Sequence, residues 1–154
     1  MSKESVNQLD LKPDQKREVR TQFGALCWRR HNGEVQVLLI TTRRTKRWIV
    51  PKGWPMGGET PAGAAAVEAF EEAGVEGKLY DTCLGMYAYT KEMEGDDLPC
   101  VVAVFPLKVT KKHKDWPEAH ERTRQWFSPK KAAQLVQEPE LKRILRTFDP
   151  KTLV

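Results

Sequence analysis

The chain has 154 residues, of which 40% are hydrophobic and 31% charged, and its net charge is +5. This length favours one domain that buries roughly 70% of its unfolded surface without a disulfide or metal staple. The composition excludes collagen-like, low-complexity and fully disordered classes, and no apolar run approaches the ~20 residues of a membrane helix. The excess of positive charge favours an anionic partner. Since no nucleic-acid-binding motif accompanies it, we expect a phosphorylated small molecule rather than a nucleic acid or a membrane.

The three cysteines, Cys27, Cys83 and Cys100, show no CxxC spacing. An odd number of unspaced cysteines is typical of reduced thiols, and the polar N-terminus lacks the apolar segment of a secretory signal. We therefore expect a cytoplasmic protein. Its oligomeric state is not indicated by the sequence.

The predicted elements begin after a polar segment. Residues 1–18 lack clear periodicity and are predicted to form a loose arm before a single domain at 19–154. Two apolar runs at 23–30 and 35–42, joined by a turn at Asn32 and Gly33, predict a β-hairpin. The remaining elements are predicted as strands at 48–50, 79–90, 100–110 and 124–127 and helices at 129–136 and 138–148. Strands followed by helices in this order predict an α/β fold with helices packed on a mixed sheet.

A glycine-rich loop and a capped helix lie in the middle of the chain. Residues 51–59 hold three glycines and two prolines, which predicts a loop that approaches another group closely. Thr60 is a predicted N-cap, Pro61 takes the first helical position, and Gly74 ends the helix. Alanines recur at helical spacing and predict a face that packs closely on a neighbour: Ala62, Ala65, Ala66, Ala69 and Ala73.

Three carboxylates share another face of this helix. Glu68, Glu71 and Glu72 stand at i, i+3 and i+4, and we expect them to be presented away from the alanine face. Taken alone, they are also compatible with a solvated acidic surface. However, this helix offers no Lys or Arg three or four residues away, and two carboxylates ~6 Å apart repel by ~3 kcal/mol at an effective dielectric of 20. Binding of Mg²⁺ or Mn²⁺ would remove that cost. A hard cation beside a glycine loop indicates phosphate-ester or pyrophosphate chemistry.

The spacing of these residues matches a longer pattern. Gly53 is followed by five residues, Glu59, seven residues, and then VEAFEEAGV at 67–75. This pattern resembles the Nudix box, except that Val67 stands where the family has arginine. The flanking sequences VLLITTRRTKRWIVPKG and RTRQWFSPKKAAQLV are similar to the diphosphoinositol polyphosphate phosphohydrolase branch of that family. Together the resemblance covers about residues 20–148.

The resemblance implies an α/β fold, specifically a Nudix-type α/β/α sandwich with a mixed β-sheet. It also implies a metal-dependent enzyme that hydrolyses a pyrophosphate bond, in a diphosphoinositol polyphosphate or a dinucleoside polyphosphate. By the same resemblance, Glu68 and Glu72 would bind Mg²⁺ or Mn²⁺, and Glu71 would act as general base or share the metal. Glu59 would support the loop.

Phosphate contacts are also implied by the resemblance. Arg43, Arg44 and Arg122 would bind substrate phosphates, and arginine suits this because its guanidinium is bidentate and always charged. The substrate site would further include Lys52 and Gly53, one of whose backbone carbonyls would complete the metal shell.

Several alternatives stay open from the sequence. The substrate could instead be a nucleotide sugar or a nucleoside triphosphate, and a weakly catalytic, ligand-sensing module is compatible with Val67. Either another Lys or Arg replaces the motif arginine, or Glu71 is less well oriented, or the arginine is dispensable. Glu118 and Glu121 are predicted to be exposed loop acids rather than additional carboxylates of the site.

Overall fold

The computed structural model describes residues 19–93, 95 and 97–153, so the predicted arm at 1–18 lies outside the described residues. Eight strands of the described chain form one mixed sheet: β1 (Arg20–His31), β2 (Glu34–Thr41), β3 (Trp48–Ile49), β4 (Lys52–Gly53), β5 (Val75–Leu79), β6 (Gly85–Lys91), β7 (Leu98–Lys112) and β8 (Arg124–Phe127). The helices are α1 (Pro61–Glu68), α2 (Pro129–Leu135) and α3 (Pro139–Thr147). A π-helical turn (Ala69–Ala73) extends α1, and a 3₁₀ turn (Pro150–Thr152) follows α3. Within the described ranges, no helix is both long and apolar enough to cross a bilayer.

The sheet is built around β1 and β7, which run parallel. All other pairs are antiparallel. β1 pairs with β2 and with β4, β2 pairs with β3 and with β8, and β7 pairs with β5 and with β6. The predicted hairpin is confirmed, because Asn32 and Gly33 join β1 to β2 with φ values of 52° and 80°. Positive φ at both central residues gives the turn a twist that matches its flanking strands.

Two sequence predictions differ from the structure. The predicted strand at 79–90 is wrong as one unit, because Leu79 pairs with Leu107 whereas Gly85 pairs with Val104. The intervening chain is therefore longer than the stretch of β7 it passes and leaves the ladder. The predicted loop at 51–59 also contains β4, a two-residue strand that pairs with β1.

The sheet carries different packing on its two faces. One face packs α2 and α3: α3 contributes the bulky side chains of Leu141, Ile144 and Leu145, and α2 buries Ala132 and Ala133. The other face packs α1 through the predicted alanine stripe: Ala62, Ala65, Ala69 and Ala73 are each at most 2% exposed, and Ala66 is half-buried. Small side chains allow α1 to lie close to the sheet. The mixed sheet with helices on both faces confirms the predicted α/β fold class.

The capping signals of α1 are confirmed as well. The Thr60 hydroxyl accepts a hydrogen bond from the Gly63 amide at 3.0 Å, and Pro61 is the first helical residue. Gly74 follows the π-helical turn with φ of 68°, a left-handed conformation that glycine adopts at little cost.

Candidate active site

The acidic face of α1 lies beneath β4. Glu68 is 1% exposed and Glu72 is 3% exposed, whereas Glu71 is half-buried. A Cβ built on Gly53 would lie 2.2 Å from the carboxyl carbon of Glu68, so only glycine fits there. The expectation that this face is simply presented away from packing is therefore wrong for Glu68 and Glu72. The short strand β4 folds over them because Gly53 lacks a side chain.

Glu72 is surrounded by positive charge and a backbone donor. Its Oε1 accepts a hydrogen bond from the Lys52 amide at 3.3 Å, and its Oε2 lies 3.8 Å from Nη2 of Arg122. Burial lowers the pKa of Lys52 to about 8, and the Glu72 carboxylate opposes that shift. A buried carboxylate is tolerated where charged and hydrogen-bonding partners surround it.

Glu118 holds two arginines beside Glu72. Its Oε1 accepts hydrogen bonds from Arg43 Nη2 at 2.9 Å and from Arg122 Nε at 2.8 Å. The hydrogen bond with Glu118 raises the pKa of Arg43. The prediction that Glu118 is an exposed loop acid is wrong, since it is 7% exposed, and its two ion pairs offset the cost of burial. Glu121 is exposed as expected, with Arg43 Nε 3.3 Å from its carboxylate.

A cavity of about 230 Å³ joins these groups, and it contains five of the predicted site residues: Arg43, Lys52, Gly53, Glu72 and Arg122. Its walls also include Gln22, Trp54, Tyr89 and Lys91, which the sequence analysis did not assign to a site. Gln22 lies near the start of β1, and Tyr89 and Lys91 lie near the end of β6. Because β1 runs parallel to β7 and β6 runs antiparallel to β7, the start of β1 and the end of β6 both lie beside the start of β7. Only the pairing of the strands could have shown this.

Four predicted site residues are not part of the lining of this cavity: Glu68, Glu71, Arg44 and Glu59. The Arg44 side chain is 81% exposed and pairs with Glu92 at 2.8 Å, and it lines an adjoining cavity of about 240 Å³ that shares Lys52, Tyr89 and Lys91 with the first. Glu59 is exposed and its carboxylate lies near Gly63, in the first turn of α1. Val67 is half-buried, and the guanidinium of Arg122, from the segment between β7 and β8, lies 3.8 Å from the box carboxylate Glu72.

A second cavity, of about 550 Å³, lies near the turn of the β1–β2 hairpin and the 3₁₀ turn. Its walls include Arg30, Asp149 and Lys151, and none of the predicted catalytic glutamates. Although it is larger, it lacks the buried carboxylates and the close backbone approach of the first cavity. The smaller cavity is therefore the candidate active site.

The donors at this site suit a hard divalent cation. Buried Glu68 and Glu72 supply carboxylate oxygens directly beneath the backbone of Lys52 and Gly53, which carries carbonyl oxygens. Mg²⁺ and Mn²⁺ select all-oxygen ligands of this kind. Among the residues that the structure describes, no three His, Cys, Asp or Glu side chains are already gathered as a ligand cluster.

Comparison with known proteins identifies the family of this chain. The family model described as the NUDIX domain matches residues 20–148. Diphosphoinositol polyphosphate phosphohydrolase 2 of Rattus norvegicus is 33% identical over 136 residues, covering 84% of this chain and 72% of the relative. Nudix hydrolase 12, mitochondrial, of Arabidopsis thaliana is 33% identical over 119 residues, covering 75% of this chain and 59% of the relative. The chain thus spans less than two thirds of that plant protein's length.

Solved structures show the same fold. A Caenorhabditis elegans Ap4A hydrolase, 22% identical, superposes with a TM-score of 0.58 over 84% of this chain and 95% of its own. A MutT protein from Methanosarcina mazei, 20% identical, superposes with a TM-score of 0.63 over 88% of this chain and 96% of its own.

Proposed function

Because the chain belongs to the Nudix family and is a Nudix hydrolase, we propose that its single domain at 19–154 hydrolyses a pyrophosphate bond in a polyphosphorylated small molecule. The proposed substrate is a diphosphoinositol polyphosphate or a dinucleoside polyphosphate. The observation that carries this proposal is the pair Arg43 and Arg122, both hydrogen-bonded to Glu118 and both lining the cavity that contains Glu72. Two fixed guanidinium groups beside buried carboxylates suit a ligand with several phosphates.

The relatives support the same class of substrate. The rat relative is named for diphosphoinositol polyphosphates, and the worm structure, which shares the fold, is named for Ap4A. Both names describe compounds with several linked or clustered phosphates. Lys52 and Lys91 add positive charge to the same cavity and strengthen the case for a polyanion.

Divalent metal ions serve Nudix hydrolases generally, and we propose Mg²⁺, with Mn²⁺ as a substitute, held by Glu68, Glu72 and a backbone carbonyl of Lys52 or Gly53. When bound, the cation would neutralise charge on the phosphate oxygens and favour ionisation of water. In this proposal Glu71 takes a proton from the attacking water as the new P–O bond forms. The bridging P–O bond breaks, and the second phosphate group leaves with the bridging oxygen. Arg43 and Arg122 orient the phosphates, and Glu118 fixes both arginines.

A product-release screen tests the proposal. The purified protein is incubated with diadenosine tetraphosphate, a diphosphoinositol polyphosphate, a nucleotide sugar and a nucleoside triphosphate, each with Mg²⁺, with Mn²⁺ and with EDTA. We expect turnover of one of the first two compounds with metal and none with EDTA. Turnover restricted to the nucleotide sugar or the triphosphate would favour the alternative pyrophosphatase functions and contradict the proposed substrate class.

We also propose that the protein acts in the cytoplasm, which its three free cysteines support. The plant relative described above carries a mitochondrial name, so the two compartments are the ones to compare. Cell fractionation with an antibody against the native protein tests this, and enrichment in mitochondria would contradict it.

A further inference from the structure

The C-terminal end of the catalytic helix, by which we mean α1 with its π-helical turn, is hydrogen-bonded to the segment between β7 and β8. An α-helix leaves its last carbonyls without partners inside the helix. Here four successive carbonyls accept hydrogen bonds from the segment that runs from the end of β7 to the start of β8: Glu71 O from the Glu118 amide at 3.1 Å, Glu72 O from Trp116 Nε1 at 3.1 Å, Ala73 O from Arg124 Nη1 at 2.8 Å and Gly74 O from the His113 amide at 2.8 Å. Two of these four donors are side chains, those of Trp116 and Arg124.

Trp116 and Arg124 form one stacked unit against Gly74. The guanidinium carbon of Arg124 lies 3.8 Å from the centre of the Trp116 ring, which is the geometry of a cation–π contact. A Cβ on Gly74 would lie 2.7 Å from Arg124 Nη1 and 2.7 Å from Trp116 Cδ2. Gly74 therefore ends the helix and also leaves room for the stack. The positive charge of Arg124 is placed where the helix dipole is negative.

The stack donates hydrogen bonds to the backbone of the same turn that carries the proposed catalytic and metal-binding glutamates. Glu72 receives the indole hydrogen bond on its own backbone carbonyl, and Ala73 follows directly. Glu118, whose carboxylate holds Arg43 and Arg122, lies two residues after Trp116. Its backbone N–H donates a hydrogen bond to the backbone carbonyl of Glu71. Any rotation of this backbone would move the glutamates relative to the two arginines.

We propose that Trp116 and Arg124 are positioning residues, which fix Glu71 and Glu72 relative to Glu118 and the arginines that it holds. The activity part of this inference rests on the proposed function. Neither side chain lines the candidate cavity, so each acts through the backbone it binds.

The chain offers a matched control in a second tryptophan–arginine pair. The guanidinium carbon of Arg29 lies 4.1 Å from the centre of the Trp126 ring, and Trp126, like Trp116, is half-buried. The Trp126 Nε1 atom is buried and has no hydrogen-bond partner among the described residues. Trp126→Phe and Trp116→Phe therefore remove similar packing, but only the second removes a hydrogen bond to the catalytic helix.

The test compares these two variants by steady-state kinetics with diadenosine tetraphosphate and Mg²⁺, and by thermal unfolding. We expect Trp116→Phe to lower kcat by about tenfold or more, with KM changed by less than about threefold, whereas Trp126→Phe stays within about twofold in both. The melting temperature should fall further in Trp116→Phe than in Trp126→Phe, because only the former loses a hydrogen bond. Equal kinetics in the two variants would overturn the proposal, because only packing would then matter.

A substrate-free measurement separates this inference from the proposed function. Amide hydrogen exchange at Glu118, whose N–H donates to Glu71 O, should accelerate by about tenfold in Trp116→Phe and stay unchanged in Trp126→Phe. Inactivity of the natural protein on every screened substrate would contradict the proposed function, and the exchange result would still decide whether the stack holds the segment. If Trp116→Phe does not fold, Arg124→Lys, which keeps the charge but loses the planar fork, takes its place in both measurements. Unchanged exchange at Glu118 would overturn the proposal.

Discussion

The helices on the two faces of the sheet lie at different depths of packing. The face that carries α1 uses alanines, and the helix lies close enough for Glu68 to contact β4 at Gly53. On the opposite face α2 also buries two alanines, but leucine and isoleucine of α3 and large aromatic side chains fill most of the space. Bulky buried side chains contribute most of the apolar surface removed from water, whereas small ones fix the separation of two backbones. Substitutions on the α1 face should therefore affect catalysis first, and those on the opposite face should affect stability first.

The largest effect is expected on the α1 face. Glu72→Gln preserves the shape of the side chain but removes its charge, so metal binding should weaken and kcat should fall by about a thousandfold, roughly 4 kcal/mol in barrier height. Steady-state kinetics over a range of Mg²⁺ concentrations measure both effects. Glu34→Gln, at an exposed position of the hairpin, serves as the control and should leave kcat unchanged. Undiminished activity of Glu72→Gln in excess EDTA would refute the metal role.

On the opposite face, Leu141→Ala tests the other half of the comparison. Leu141 is fully buried in α3, and its truncation should lower the free energy of unfolding by about 3 kcal/mol through lost transfer energy and a residual cavity. Urea denaturation measures the loss, and kcat below the transition should stay within about twofold of the natural protein. A large fall in kcat in the folded variant would show that the two faces are not separable in this way.

A smaller effect should separate two adjacent arginines at the edge of the candidate site. Arg43 lines the cavity and is held by Glu118, so Arg43→Ala should raise KM by about tenfold, which is about 1.4 kcal/mol. Arg44 forms an exposed ion pair with Glu92, and such pairs contribute little, so Arg44→Ala should change KM by about twofold or less. Kinetics at several salt concentrations make the comparison. The reverse order would place the phosphate contact on Arg44.

The smallest effect is expected at Val67, where the box lacks its arginine. Arg122 already places a guanidinium 3.8 Å from Glu72. An added arginine should therefore change kcat by less than about tenfold, or 1.4 kcal/mol in barrier height. The assay is the turnover of Val67→Arg on the best screened substrate. A much larger gain would show that Arg122 does not replace the motif residue and that the natural protein is slow.

Features set by neighbouring residues could be predicted from the sequence. Thr60, Pro61 and Gly74 define a helix locally, and Asn32 and Gly33 define a turn. The spacing of the box glutamates predicts that they share a helical face. These signals work because a cap or a turn depends on a few consecutive residues.

Features that depend on distant pairing could not be predicted. The burial of Glu118 requires Arg43, which stands 75 residues earlier in the chain. The break between β5 and β6 is set by their register on β7. The same holds for Trp116, whose sequence position gives no sign that its indole binds the backbone of Glu72. Glu118 was predicted to be exposed because its distant partner Arg43 is supplied by the fold.

The parallel pairing of β1 and β7 has a consequence for synthesis. Arg20 pairs with Cys100 and Trp28 with Lys108, so about 80 residues separate the partners at the centre of the sheet. Closing so long a segment costs entropy before the contacts form, and proteins dominated by such contacts fold slowly. On the ribosome, the β1–β2 hairpin emerges before its later partners, so the edge of β1 lacks β7 and the edge of β2 lacks β8 until both have been translated. The nascent chain is therefore most exposed to aggregation during this interval.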